Sequence, residues 1–312
     1  MFTSGYKKPF FNLFHRLTYI TSAAFTPYLI PHLFGYREID SKKLSFSQTF
    51  ILSAKFTFWW LLANFAVNAS LEYTSVASST ILSSTSGLWT FLIACLLRIE
   101  RFSFTKLLAV FASIFGSILV AVSDASSVKA SSNLSIIGDL LALLSALSFS
   151  IYILLLKASV GDESHIDFPL FLGFIGAINT VFCWPLLVLL HWTGIETFEI
   201  PNRSSVVLIL LLNMFVTFSS DYLYLQAMLK TTPLVATVGI SLTLPFSILG
   251  DYILNQLTLT IKGMLGSMFV LASFIALGYE EDDENANKEI DERVAESAGL
   301  IDETTNSDIT AV

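Results

Sequence analysis

Residues 74–97 read TSVASSTILSSTSGLWTFLIACLL, twenty-four positions without a charged side chain. A helix crossing about 30 Å of hydrocarbon needs roughly 20 mostly apolar residues, so this stretch is long enough to cross a bilayer. Yet eight of its first twelve residues are Ser or Thr. Lipid rewards none of those hydroxyls. Each one returns its hydrogen bond to the carbonyl a turn earlier, permits close helix packing, or lines a polar cavity. Packing accounts for any single hydroxyl; the run as a whole reads as a cavity wall.

Working outward with the same ruler gives further spans near 49–69, 104–123, 136–157, 168–190, 206–228, 232–254 and 258–278. A weaker one lies at 11–34, where Arg16, Pro27 and Pro31 interrupt it. The expectation is an all-α, polytopic membrane protein of about nine transmembrane helices. Composition agrees, with 54% hydrophobic residues and 27 Phe. Only 13% are charged, against roughly 25% in soluble domains. The formal net charge of -8 is concentrated after residue 279, from Glu280 to Asp302. Residues 280–312 therefore read as an acidic tail, disordered or marginally helical.

Several function classes drop out. No basic stripe supports nucleic-acid binding. His15, His32, His165 and His191 are scattered without ligand spacing, so neither a metal nor another cofactor is expected. No Gly-x-x-x-x-Gly-Lys-Ser/Thr run is present for an ATP-driven pump, and no catalytic grouping points to an enzyme. Cys95 and Cys183, each inside an apolar stretch, read as small buried thiols rather than a disulfide.

With nine alternating spans, one side collects Arg37, Lys42, Lys43, Lys55, Arg98, Arg101, Lys106, Lys157 and Lys230. The other holds Lys7, Lys8, Arg16, Lys129, Arg203 and Lys262, of which an eight-span arrangement with a non-crossing first segment would return the first three to the cytosol. The positive-inside bias then puts the C-terminal tail in the cytosol. The sequons at Asn68, Asn133 and Asn202 all fall on the non-cytosolic side. Asn133 and Asn202 are the candidate N-glycosylation acceptors, Asn68 lying too close to the membrane.

The chain also echoes itself. WLLANFAVNASLEYTSVASSTILSSTSG at 60–87 has a counterpart, FSSDYLYLQAMLKTTPLVATVGISLTLP at 218–245, about 157 residues later. Asn64 falls opposite Asp221, and Thr74 near Thr232. An odd number of spans separates the copies, so they run in opposite directions, as in the inverted repeats of many secondary transporters. The halves are 1–123 and 136–279, joined by a non-cytosolic linker at 124–135.

Asp221 is the most informative single residue. A carboxylate at mid-membrane costs about 2.5–3.5 kcal/mol on insertion scales, which points to a polar-substrate or proton site, against a structural interhelical hydrogen bond. Asn64 and Asn68, four apart, share one helix face, with Glu72 a turn further. Tyr73 and Tyr222 each offer a ring and a hydroxyl to a solute, although interfacial tyrosines also serve as plain anchors. Ser79, Ser83, Thr237 and Ser241 complete the substrate-pathway candidates. Lys55, Lys157 and Lys230 read as snorkelling cations at helix ends. Pro233 and Pro245 bracket a stretch able to bend.

The chain resembles the drug/metabolite transporter superfamily in its EamA-like branch. It is most similar to the solute carrier 35 subfamily F group and to fungal vacuolar and thiamine-repressible transporters. The resemblance rests on YKKPFF at 6–11, ANFAVNASLEYTSVASSTILSSTSG at 63–87, GDLLALLSALSFSIYILLLK at 138–157, FLGFIGAINTVFCWP at 171–185 and SDYLYLQAMLKTTPLVATVGISLTLP at 220–245. It implies ten helices in two inverted five-helix halves, with both ends cytosolic and a passage between the halves. By that pattern YKKPFF follows a first helix absent here, which leaves the first half with four spans. Either the chain starts late or it lacks that helix. The resemblance implies transport of a vitamin, amino acid, nucleotide-sugar or similar small polar metabolite across an intracellular membrane. The vacuolar membrane is expected first, then mitochondrial or ER/Golgi membranes. Protonation of Asp221 would offset much of its cost in the membrane, a property that proton coupling would use. The competing reading is a non-transporting membrane scaffold or regulatory protein.

Overall fold

The computed structural model describes residues 43–124, 133–161, 163–192, 204–255 and 260–310, and the regular structure among them is entirely helical. The expected span at 11–34, Lys7, Lys8, Arg16, Asn202 and most of the 124–135 linker lie outside these residues. Asn133 opens a helix.

The helices are α1 (Phe46–Tyr73), α2 (Val76–Ser84), α3 (Ser86–Leu96), α4 (Phe104–Asp124) and α5 (Asn133–Val160). After a 3-10 turn at Glu163–His165 come α6 (Phe168–Trp192), α7 (Ser204–Lys230), α8 (Pro233–Ile240), α9 (Thr243–Asn255) and α10 (Ile261–Thr310). Each of the eight stronger spans expected from sequence falls on helix. Six segments among the described residues are long and apolar enough to cross a membrane: Phe46–Tyr73, Val76–Leu96, Phe104–Ser123, Ser135–Val160, Pro233–Gly250 and Ile261–Asn287. Phe168–Asn179 is apolar but shorter.

Two of those six are broken in the middle, and the breaks match. Ser75 caps α2 by accepting from the Ser78 amide at 3.1 Å, and the helix lasts to Ser84 before Thr85 interrupts it. Thr232 caps α8 by accepting from the Val235 amide at 3.4 Å, and that helix lasts to Ile240 before Ser241 and Leu242 interrupt it. Hydroxyls satisfy carbonyls beside each break: Thr85 donates to the Leu82 carbonyl at 2.6 Å and Thr243 to the Ile240 carbonyl at 2.8 Å. Such side-chain bonds make irregular backbone tolerable away from water. Pro245, in the first turn of α9, has no amide to give the Ser241 carbonyl, which the Leu244 amide takes at 3.0 Å.

The broken helices meet in antiparallel order. A Cβ on Gly87 would lie 3.6 Å from Val238, the Thr90 and Thr237 hydroxyls are 3.5 Å apart, and the Leu234 amide donates to Glu100 at 3.1 Å. Neighbours along α8 thus descend as residues from α3 onward ascend.

One end of the bundle gathers the turn after α3, the end of α5, the α7–α8 turn and α10 near Glu284. Lys157 donates to the Leu229 and Thr231 carbonyls at 2.9 Å each, closing the C-terminal end of α7 as a cation does best. Lys157 is therefore a helix-capping group rather than a snorkelling one. At the other end, Thr74 and Ser78 both donate to Asp139 at 2.8 Å, and Gly263 abuts Ser123. A Cβ on Gly138 would come within 2.8 Å of Thr74, so glycine lets the start of α5 touch the α1–α2 turn.

Burial follows the same plan. α1 packs along α5, with Phe56 wedged edge-on between Tyr152 and Phe171 at ring separations of 4.9 and 5.3 Å. α4 packs along α10 through Gly116 and Gly266; a Cβ on either would lie 2.6 Å from the other's carbonyl oxygen. Small residues of this kind let helix backbones approach, the main source of helix–helix contact in lipid. The acidic stretch, expected as disordered or marginally helical, continues α10 as helix to Thr310. Its first turns are tied down: Ser103 donates to Glu280, and Lys106 lies 2.9 Å from Glu284.

Candidate functional site

A cavity of about 470 Å³ lies where α1, α5, α7 and both broken helices converge. Its α1 wall is Trp60, Ala63, Asn64, Val67 and Leu71. α2 contributes Ser79, Thr80, Ser83 and Ser84, and Ser86 follows the break. Ser145, Ala146, Phe149 and Tyr152 come from α5, and Asp221 from α7. Thr237, Ile240, Ser241 and Thr243 come from the second broken helix.

Of the residues singled out in the sequence, Asn64, Ser79, Ser83, Asp221, Thr237 and Ser241 are brought together here. Asn68, Tyr73 and Tyr222 are not among the lining. Asn68 donates to the Asn64 carbonyl at 2.7 Å. Tyr73 is exposed at the end of α1, and Tyr222 packs edge-on against Phe168 at 6.2 Å. Helix geometry explains the split on α1: seven residues fall nearly two turns apart and stay on one face, whereas eight drift further round. The lining stripe accordingly runs Asn64, Val67, Leu71, while Glu72 is exposed.

Sequence reasoning took in Thr80 and Ser84 only as part of the hydroxyl run, and it missed Trp60, Ser86, Ser117, Ser145, Phe149, Tyr152 and Thr243. The signal for several was the echo itself, since Thr80 matches Thr237, Ser84 matches Ser241 and Ser86 matches Thr243 at the spacing that pairs Asn64 with Asp221.

Polar groups around the cavity are arranged with a consistent sense. Asn64 donates to the Trp60 carbonyl at 2.8 Å, Thr80 to Val76 at 2.8 Å and Ser84 to Ile81 at 2.7 Å. Ser145 crosses between helices to the Ala63 carbonyl at 2.8 Å, and Thr237 donates to Pro233 at 2.6 Å. The Ser83 hydroxyl has no hydrogen-bond partner among the described residues. Asp221 is the one charged side chain among the described lining residues. Phe149 and Tyr152 meet edge-on at 5.1 Å.

A second polar cluster closes the end of the bundle that carries Lys157. Glu100 accepts from the Leu234 amide with one carboxylate oxygen and lies 3.6 Å from Lys106 with the other. Burial pushes the Glu100 carboxyl above its ordinary value, and Lys106 pulls it the other way. This cluster ties the turn after α3 to the start of α8 and, through Lys106 and Glu284, to α10.

Compared with known proteins, the chain is 38% identical over 262 residues to an uncharacterized vacuolar membrane protein of Saccharomyces cerevisiae, covering 80% of this chain and 67% of that protein. It is 35% identical over 320 residues to the thiamine-repressible mitochondrial transport protein of the same yeast, covering 89% and 85%. Bovine solute carrier family 35 member F5 is 37% identical over 235 residues, covering 74% of this chain and 44% of the carrier. The chain belongs to the family of solute carrier 35 subfamily F proteins and their fungal relatives. No family model matches it. A crystal structure of another protein superposes with a TM-score of 0.63 over 90% of this chain and 91% of that one, at 11% identity, a likeness of fold alone. As a subfamily F relative the chain is a multi-span membrane protein. Its cavity joins positions that lie far apart in sequence.

Proposed function

We propose that this chain is a secondary transporter carrying a small polar organic solute across an intracellular membrane, by way of the cavity between its two broken helices. The observation that carries the reading is the convergence of two antiparallel interrupted helices on one chamber that holds Asp221. Discontinuous helices facing a shared central site are how many secondary transporters build a passage. Relatives that bear the name of transporter support it.

On this reading residues 1–123 and 136–279 form two inverted halves, 124–135 links them, and nine helices cross. The cation-rich end faces the cytosol together with the C-terminus. The vacuolar membrane is the first expectation from the yeast relative's name, the mitochondrion the second. Asp221, able to lose and regain its charge inside the chamber, is the proton-coupling group.

Uptake by the purified full chain in liposomes tests the reading. The panel holds thiamine, amino acids, nucleotide-sugars and nucleotides, with and without an inward proton gradient. Ala146→Trp fills the chamber from a fully buried wall position and serves as the blocked control. Saturable uptake of one class, lost in the blocked variant, supports transport. Uptake indifferent to the plug would place the path elsewhere, and a tail-dependent partner with no uptake of any solute would favour a scaffold.

A further inference from the structure

Six side chains of the cavity wall give a donor hydrogen to the protein's own backbone. Thr80, Ser84, Ser145, Thr237 and Thr243 each give their hydroxyl hydrogen to a backbone carbonyl, and Asn64 gives an amide hydrogen to Trp60. A hydroxyl so engaged still has oxygen lone pairs, and Asn64 keeps its amide oxygen. The wall therefore presents acceptors to whatever enters. Rotating a hydroxyl to donate inward would give up its bond to the carbonyl, which opposes the change. Asp221, an acceptor when ionised, adds a negative charge to the same wall. Trp60, Phe149 and Tyr152 supply aromatic surface beside it, and ring faces attract cations. Ser83 differs, its hydroxyl having no partner among the described residues, so with the second amide hydrogen of Asn64 it can donate to a carbonyl or ring nitrogen of the solute.

Resting on the transport reading of the same cavity, we propose that its solute is an organic cation bearing N–H donors. A protonated amine or an amidinium-type group would sit against Asp221, with its N–H bonds directed to the hydroxyl oxygens and its apolar part on the aromatic wall. A carboxylate or phosphate would meet acceptors and a like charge instead, and a polyol would forgo the charge attraction. The acceptor-rich wall distinguishes this class from quaternary ammonium ions, which have charge but no N–H.

Ligand-induced shifts in the thermal midpoint of the purified full chain, in detergent near neutral pH, test this without needing flux. Benzylammonium and benzamidine should raise the midpoint saturably, tetraethylammonium less, and benzoate and sorbitol not at all. Asp221→Asn should abolish the benzylammonium shift. Thr80→Val, which removes one acceptor and keeps the side-chain shape, should weaken it and stands in if the Asn variant fails to fold. A shift with benzoate or sorbitol in place of the cations, a cation shift that survives both substitutions, or no shift with either cation would overturn the inference. Transport of an anionic or neutral solute would likewise remove the cation assignment while leaving the transport reading intact.

Discussion

Asn64 and Asp221 line the same cavity from different helices, α1 and α7, at positions that the internal echo pairs. The correspondence extends to Thr80 with Thr237 and Ser84 with Ser241, all on the same wall. Both sets of positions meet in a single chamber. The correspondence fails at Asn64, an amide where Asp221 is a carboxylate, and at Ser83, a hydroxyl where Ile240 is apolar.

Asn64 and Asn68 are chemically identical and one turn apart, yet only Asn64 lines the cavity. Asn64→Leu should lower solute uptake roughly tenfold or more, the effect of losing about one well-placed polar contact. Asn68→Leu should leave uptake within a factor of about two, since the half-buried Asn68 lies off the cavity wall and bonds back along its own helix. Parallel liposome assays check this; equal losses in the two variants would mean that the face assignment on α1 is wrong.

Gly116 and Gly266 allow α4 and α10 their closest approach, each Cβ position lying 2.6 Å from the opposing carbonyl oxygen. Gly116→Val must push the helices apart and should destabilise the chain by about 1–3 kcal/mol. A thermal midpoint in detergent indistinguishable from that of the unaltered chain would contradict the contact.

Asp139 accepts hydroxyl hydrogens from both Thr74 and Ser78 at 2.8 Å, pinning the α1–α2 turn to α5. Asp139→Ala leaves two donors without their acceptor and should cost about 1–3 kcal/mol. Asp139→Asn retains one oxygen and should cost less. Thermal unfolding of the two variants side by side gives the order, and the reverse order would argue against the hydroxyl pair.

Glu100 carries a pH signature. Burial is the main cause holding its carboxyl above a free glutamate's 4.5, with Lys106 opposing. A carboxyl raised in the folded state stabilises the fold while protonated; that contribution is complete below the unfolded value and is lost as pH rises through the folded one. Glu100→Gln keeps the acceptor for the Leu234 amide without the charge. Relative to the unaltered chain, the variant should therefore gain stability as pH rises from about 4 to about 7. A constant or shrinking difference between their thermal midpoints across that range would show that the ion pair with Lys106 dominates.

Much of the fold was legible because lipid imposes a length. Runs near twenty apolar residues had to be helices, and each of the eight stronger runs falls on helix. The cavity was legible where polarity was out of place, at Asp221 and in the hydroxyl run from Thr74. What stayed hidden depended on rotation and contact. The stripe Asn64–Asn68–Glu72 satisfied a four-residue spacing, but the face that points inward is set by how α1 packs on α5. Asp139 could not be singled out in the sequence, because its two hydroxyl partners lie more than sixty residues earlier. The interruptions at Thr85 and Ser241 were foreshadowed by Pro245 only in the second copy. The pairing of Glu100 with the start of α8 joins segments that no sequence spacing connects.

A secondary transporter opens its chamber to the two sides of the membrane in turn, which site-directed labelling reads directly. A single cysteine at Ser84, with Cys95 and Cys183 replaced by alanine, can be probed by a membrane-impermeant maleimide in sealed vesicles of each orientation. The account predicts labelling from either side, at rates that a saturating transported solute reduces in both orientations. Labelling from one side only, unchanged by solute, would contradict it and leave a membrane protein with a pocket but no passage.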